Sequence, residues 1–328
     1  VAFIGSLRRA VLTPDPAETQ MSVRGFHTRS EPARDLLETI GRTFLEGYGD
    51  AAEARRVAEV GPALERVPTR FRGFAYEGAA MALAVRDGLP FGGGLVRQFL
   101  AGAGSPHVYM AYVGIGWAMA RLPRMRWSRL YAPDPLLRWL VLDGYGFHQA
   151  YFHTHKYVIE QYRHDRFPWP VDDDSGYATR VIDQGIGRAL WFVGGTDVVQ
   201  ISRLIEGFAE HRRADLYSGV GLAATYAGGA DGAELRELWR RAATYRPHLA
   251  QGAAFAAAAR VRAGLVVPHV ELATRLFCGL SPAGAAAVTD RVRPGLSLPG
   301  EPPTYEIWRN WIRDTFVVGQ RDHVADSR

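Results

Sequence analysis

The chain holds 328 residues, 47% hydrophobic and 22% charged, a balance that supports a sizeable globular core. No apolar run approaches the roughly 18 residues of a spanning helix, and the short apolar stretch at residues 1–7 is followed by Arg8 and Arg9, the reverse of a secretory signal. The net charge of +5 comes from arginines interleaved with acids, Lys156 being the one lysine, which argues against a nucleic-acid partner and leaves a cytoplasmic protein as the expectation.

Taken in chain order, residues 1–55 read as an amino-terminal cap. A Pro-rich stretch (Thr13-Pro-Asp-Pro) comes first, then a helix over about 32–48. Residues 56–293 carry a recurring signature, Gly-x-(Gly/Ala)-x-Ala, beginning at Gly78, Gly114, Gly144, Gly185, Gly219 and Gly252. Successive copies start 36, 30, 41, 34 and 33 residues apart, near the roughly 34-residue period of helical-hairpin repeats. Small residues at i and i+4 share a helix face and let a neighbour approach closely, so a periodic packing rule leaves a periodic signature. The clearest hairpins span 196–229 and 231–264, with Asp197 and Asp231 as helix caps and Gly229 and Gly264 as left-handed ends. Residues 294–328 read as a carboxy-terminal cap: a Pro/Gly-rich loop over 294–303, then a helix with Trp308, Trp311 and Ile312 on one side. The expected fold is all-α, an array of about six helical hairpins forming one continuous domain.

The third positions of the signature are Ala82, Ala118, His148, Ala189, Ala223 and Ala256, so His148 is a titratable ring where the other copies hold alanine. The residues just before the signature are Glu77, Val113, Asp143, Gln184, Ser218 and Gln251, a polar line if these positions share a groove. Read as a helix, 143–157 puts His148, Tyr151 or Phe152, and His155 on one stripe and His153 on another face. Two chemistries follow. His148 and His155 act as acid and base with Asp143 or Glu77 supplying charge, or His148, His153 and His155 bind a metal. Histidine spacings of 5, 2 and 7 fit the usual i, i+3 or i, i+4 ligand pairs poorly, so no metal is expected. No nucleotide cofactor is expected either, because Gly-x-Gly falls inside helices and Phe91-Gly-Gly-Gly follows no strand. The acidic run 172–174 reads as a solvated loop, and Cys278 as a buried structural thiol.

The strings Arg70-Phe-Arg-Gly-Phe-Ala-Tyr-Glu-Gly-Ala-Ala-Met-Ala-Leu-Ala, Ser105-Pro-His-Val-Tyr-Met-Ala-Tyr-Val-Gly-Ile-Gly-Trp-Ala and Asp143-Gly-Tyr-Gly-Phe-His-Gln-Ala-Tyr-Phe-His resemble the UnbL-type family of unknown function. With Leu7-Arg-Arg and Arg24-Gly-Phe, the resemblance covers nearly the whole chain. The family occurs in actinobacterial gene clusters for enediyne antibiotics, and the resemblance implies a long conjugated polyene or enediyne-core intermediate as the bound molecule. Tyr109, Trp117, Tyr145, Phe152 and Trp191, with Gln184 and Gln251, are the expected ligand contacts in an apolar groove. Biosynthetic chemistry on that intermediate is one expectation. A non-catalytic carrier, or a scaffold docking other enzymes, is the other.

Overall fold

The computed structural model describes residues 2–90, 92–169, 175–293, 295 and 302–325. Phe91, residues 172–174 and most of the 294–303 loop lie outside these. Every regular element among the described residues is helical. Two short helices, α1 (Ala2–Leu12) and α2 (Met21–Arg24), precede α3 (Glu31–Glu53), which starts at Ser30, whose side chain accepts from the Ala33 N–H. Short and long helices then alternate: α4 (Val60–Leu64), α5 (Thr69–Gly88), α6 (Leu95–Ala101) and α7 (Val108–Arg121). The long α8 (Trp139–Phe152) and α9 (Ala178–Val193) follow. The alternation resumes with α10 (Val198–Gly207), α11 (Glu210–Ala227), α12 (Gly232–Ala242), α13 (Arg246–Arg262) and α14 (Pro268–Cys278). α15 (Pro282–Arg291) and α16 (Thr304–Ala325) end the fold.

The long helices form an inner layer in which each packs on the next, from α3 through α5, α7, α8, α9 and α11 to α13. The hairpin pattern lapses in the middle. Between α7 and α8 only a 3-10 turn (Arg124–Arg129) occupies the outer layer, and between α8 and α9 a π turn (His155–Ile159). Pro123, Pro133 and Pro135 in the first stretch and Pro168 and Pro170 in the second lack the N–H that a longer helix needs.

The glycine signature explains the inner layer. A Cβ on the first glycine of a copy would strike the carbonyl just before the signature in the preceding helix: Gly114 meets Glu77 O, Gly144 Val113 O, Gly185 Asp143 O, Gly219 Gln184 O and Gly252 Ser218 O. A Cβ on the second would strike the carbonyl three residues before the next signature: Gly116 meets Val141 O, Gly146 Ile182 O, Gly187 Leu216 O and Gly221 Leu249 O. Neighbouring inner helices run parallel, since carboxy-terminal residues meet carboxy-terminal residues: Arg86 donates to Ala51 O (2.7 Å), Trp191 to Gly228 O (2.9 Å) and Arg260 to Tyr226 O (2.6 Å). Glycine costs about 1 kcal/mol in a helix relative to alanine, and here it is repaid by backbone-to-backbone approach along the whole seam. The helix assigned above to the amino-terminal cap, α3, joins the same seam, since Gly47 meets Ala75 O and Gly78 meets Phe44 O.

The parallel inner helices curl around a central lumen. Across it Phe74 of α5 meets Tyr226 of α11 edge-on, with ring centroids 5.2 Å apart, and Arg260 of α13 donates to the Arg70 carbonyl at the start of α5 (3.0 Å). At the amino-terminal ends of the inner helices, α16 plugs the lumen with Tyr305, Trp308 and Ile312, all buried. Trp308 Nε1 donates to Thr289 O (2.8 Å), and Arg309 pairs with Asp215 (2.8 Å). At the carboxy-terminal ends, residues 13–29 cross the opening. His27 N donates to Val193 O (2.9 Å) and Arg29 to Gly229 O (2.8 Å).

Candidate functional site

The carboxy-terminal half of the lumen holds a cavity of about 580 Å³. Its position follows from the seam's register. The residue between the second and third small positions of each copy is Met81, Trp117, Phe147, Arg188, Leu222 or Phe255. The first five line this cavity, and Phe255 lines a much smaller void of about 30 Å³ against Trp308. A helix that turns its small face to its neighbours thus turns this position inward. Phe44, Tyr151, Phe152 and Phe192 complete aromatic walls, with Trp117 at the centre, 4.5 Å from Phe44 and 5.1 Å from Phe147 between centroids. Asp15, Glu18, Arg24, Arg121 and His153 stand around the opening.

Charge is concentrated on the floor. Arg188 donates to Asp143 Oδ1 and lies 3.8 Å from Glu77 Oε1. Gln184 Nε2 donates to Asp143 Oδ2 (2.7 Å) and to Tyr305 Oη (3.2 Å), joining the floor to the plug. Asp143 therefore has the guanidinium and an amide close by, while Glu77 has the far side of the same cation and the Trp117 N–H. Burial raises the Glu77 carboxyl to about 7; Arg188 opposes the rise and Asp143 adds to it. A buried carboxyl poised near neutrality, in a cavity, can exchange a proton. Burial, aided by Arg121, His153 and Arg24, lowers the His148 imidazole to about 3, so the ring is neutral across the physiological range.

Four polar atoms of residues lining the cavity have no hydrogen-bond partner among the described residues: Arg24 Nε at the rim and, deeper, Trp117 Nε1, His148 Nδ1 and the Tyr226 hydroxyl. The residues of the deeper three are 8%, 7% and 3% exposed. The Trp117 N–H faces the Glu77 carboxyl without reaching hydrogen-bond geometry. The Tyr226 oxygen lies over Gly73, where any Cβ would displace it. Buried polar groups are almost always paired, and those left unpaired beside this cavity are open to a polar group of a bound molecule.

The residues singled out from sequence divide into groups. Glu77, His148, Trp117 and Phe152 line the cavity, and Asp143 reaches it through Arg188. Gln184 and Gln251 lie deeper in the polar line, Gln251 accepting from Ser218 (2.7 Å) and Arg309 (3.1 Å). Tyr109 borders the small void beside Trp308. Tyr145 occupies the outward register, shared with Ile115, Ile186 and Val220, and packs on Phe167 (4.9 Å) and Trp127 (6.1 Å). Trp191 is fully buried between helices, its N–H on Gly228 O (2.9 Å).

The expected stripe from His148 to His155 is broken. α8 stops at Phe152 because Arg24 takes the carbonyls of Tyr151 (3.0 Å) and Phe152 (2.8 Å), and the Thr154 hydroxyl takes that of Ala150 (2.9 Å). His155 falls outside the cavity, exposed and paired with Glu160 (3.2 Å). Among the described residues no three His, Cys, Asp or Glu side chains are placed to share a metal ion, and no helix is long and apolar enough to cross a membrane. Sequence reading passed over Arg188 and the hydroxyl of Tyr226. Arg188 was detectable as the one charged residue in the inward register, whereas Tyr226 needed the lumen's curvature. Residues 3–316 match the model of a family described as a protein of unknown function (DUF1702). No curated protein and no solved structure matches the chain.

Proposed function

The chain belongs to this family, and we propose that it binds a long conjugated polyene or enediyne-core intermediate in the lumen cavity and assists its maturation by proton transfer. The observation that carries this reading is the cavity itself: aromatic walls beside a carboxyl poised near neutrality and unpartnered polar atoms. Flat aromatic rings suit a planar conjugated chain, and a volume of about 580 Å³ lies within the range of small-molecule sites. The UnbL-type strings in the sequence supply the enediyne context. Glu77 is the proton-transfer group in this reading, since its carboxyl is half-protonated near neutral pH. His148, neutral and buried, acts as a hydrogen-bonding wall. Burial, with Asp143 adding to it, keeps the Glu77 carboxyl protonated against the opposing pull of Arg188. No nucleotide cofactor is invoked.

The test is an absorbance time course of the protein with a linear conjugated polyene, followed by extraction and mass analysis. A spectrum that changes with time and a new isomer or mass support chemistry. A static spectral shift with the polyene recovered intact supports a carrier, and absence of any spectral response rejects the cavity as a polyene site.

A further inference from the structure

Of the three deeper unpartnered wall atoms, two specify the chemistry of what they meet. The indole N–H of Trp117 can only donate. It is directed at the Glu77 carboxyl and opposes that group's rise in pKa, without reaching hydrogen-bond geometry. The Tyr226 hydroxyl is held by its surroundings in a donor's role. Arg260 lies 4.0 Å from the Tyr226 ring centroid, and no carboxylate meets this arginine among the described residues, only the carbonyls of Thr69, Arg70, Tyr226 and Leu265. A cation against the ring strengthens the phenolic O–H as a donor. Gly73 stands five residues before the signature glycine of its helix, outside the seam, and its missing Cβ makes room for this hydroxyl. Resting on the reading that the cavity takes a conjugated chain, we propose that the bound molecule carries a carbonyl oxygen, conjugated with that chain, which accepts hydrogen bonds from Trp117 Nε1–H and the Tyr226 hydroxyl beside Glu77. A hydrocarbon would leave both donors buried and unpaired. A carboxylate would add a negative charge beside Asp143 and the Glu77 carboxyl, which already share one guanidinium.

The experiment compares a linear conjugated tetraenone, the alcohol of the same skeleton and the matching tetraene hydrocarbon. Binding is followed by quenching of tryptophan fluorescence and by absorbance, using the full chain. The ketone is expected to bind at least about tenfold more tightly than the hydrocarbon, because a site built for a hydrogen bond rejects the analogue lacking it. Its absorbance should move to longer wavelength as the carbonyl is polarised. Tyr226→Phe keeps its ring and Trp117→Phe trims the indole to a phenyl, and each should cut the ketone's advantage over the hydrocarbon by about tenfold. Equal binding of ketone and hydrocarbon overturns the carbonyl and spares the polyene reading; preference for the alcohol overturns it in favour of a hydroxyl; failure of all three overturns both. Should either variant melt early, the three-ligand ranking on the unaltered chain decides.

Discussion

The two ends of the lumen are built from the same helices and finished differently. At the amino-terminal ends α16 inserts as a plug, and the remaining space is about 30 Å³. Its charges are matched there: Asp215 lies between Arg309 (2.8 Å) and Arg180 (3.0 Å), and Arg180 also meets Glu306. At the carboxy-terminal ends a strap of loop and short helices crosses without filling, and about 580 Å³ remains. Polar atoms lack hydrogen-bond partners at both ends, Gln251 Nε2 beside the plug among them, but only the open end combines them with space and with a carboxyl pushed to about 7. A packed end with paired charges serves stability, and an open end with room and a carboxyl near neutrality serves binding. The same repeat supports both because its inward register varies freely while its small residues do not.

The largest effect should come from the plug. Arg309→Met leaves Asp215 buried with Arg180 alone, and breaking a buried pair on one side costs about 3–5 kcal/mol. Chemical denaturation should register that loss, and a change below about 1 kcal/mol would remove the contrast between the ends. A middle-sized effect is expected at Glu77. Its folded value of about 7 exceeds the free value of 4.5, so the folded chain takes up a proton between those two. Stability from the neutral carboxyl is complete below about pH 4.5 and fades as pH rises through about 7. Glu77→Gln should flatten that decline and make the protein more stable than the parent at pH 8, by about 1–3 kcal/mol in melts across the pH range. A parallel decline in the variant would assign the slope to another group. The smallest effect belongs to the strap. Arg24→Met removes bonds to the Tyr151 and Phe152 carbonyls and the Glu18 pair (2.5 Å), all at a partly solvated rim. It should cost about 1 kcal/mol or less while speeding ligand release measured by stopped-flow fluorescence. A loss equal to that of Arg309→Met would mean the strap is also a plug.

The seam was legible because it is a backbone rule repeated in each unit, and the copies from Gly78 to Gly252 each make the contact that small residues permit. Its extension to α3 was harder to read. Gly47-x-Gly49-x-Ala51 matches the pattern, but Gly47 makes the contact of a second position, so sequence and structural registers differ by two. His148 drew notice by replacing alanine, and it does stand on the cavity wall. Its partners did not follow from helical periodicity, because Arg24, from 124 residues upstream, ends α8 before His155. Tyr145 and Trp191 show the limit of judging by residue type. Both are aromatic and on signature helices, and register alone sends one outward and the other into the helix interface.

The parallel run of the inner helices has an electrical consequence. Each helix carries the equivalent of about half a negative charge at its carboxy terminus, and the ends of α7, α8, α9 and α11 all face the opening of the cavity. Aligned dipoles add where an antiparallel bundle would cancel them. Arg24 and Arg121 match that field in charge, and Asp15 and Glu18 at the same rim leave the balance negative. An anion approaching the opening meets a potential that repels it, and added salt should ease its entry. A neutral conjugated molecule crosses the same rim without that barrier, and meets strong donors only once it has reached the middle of the helices.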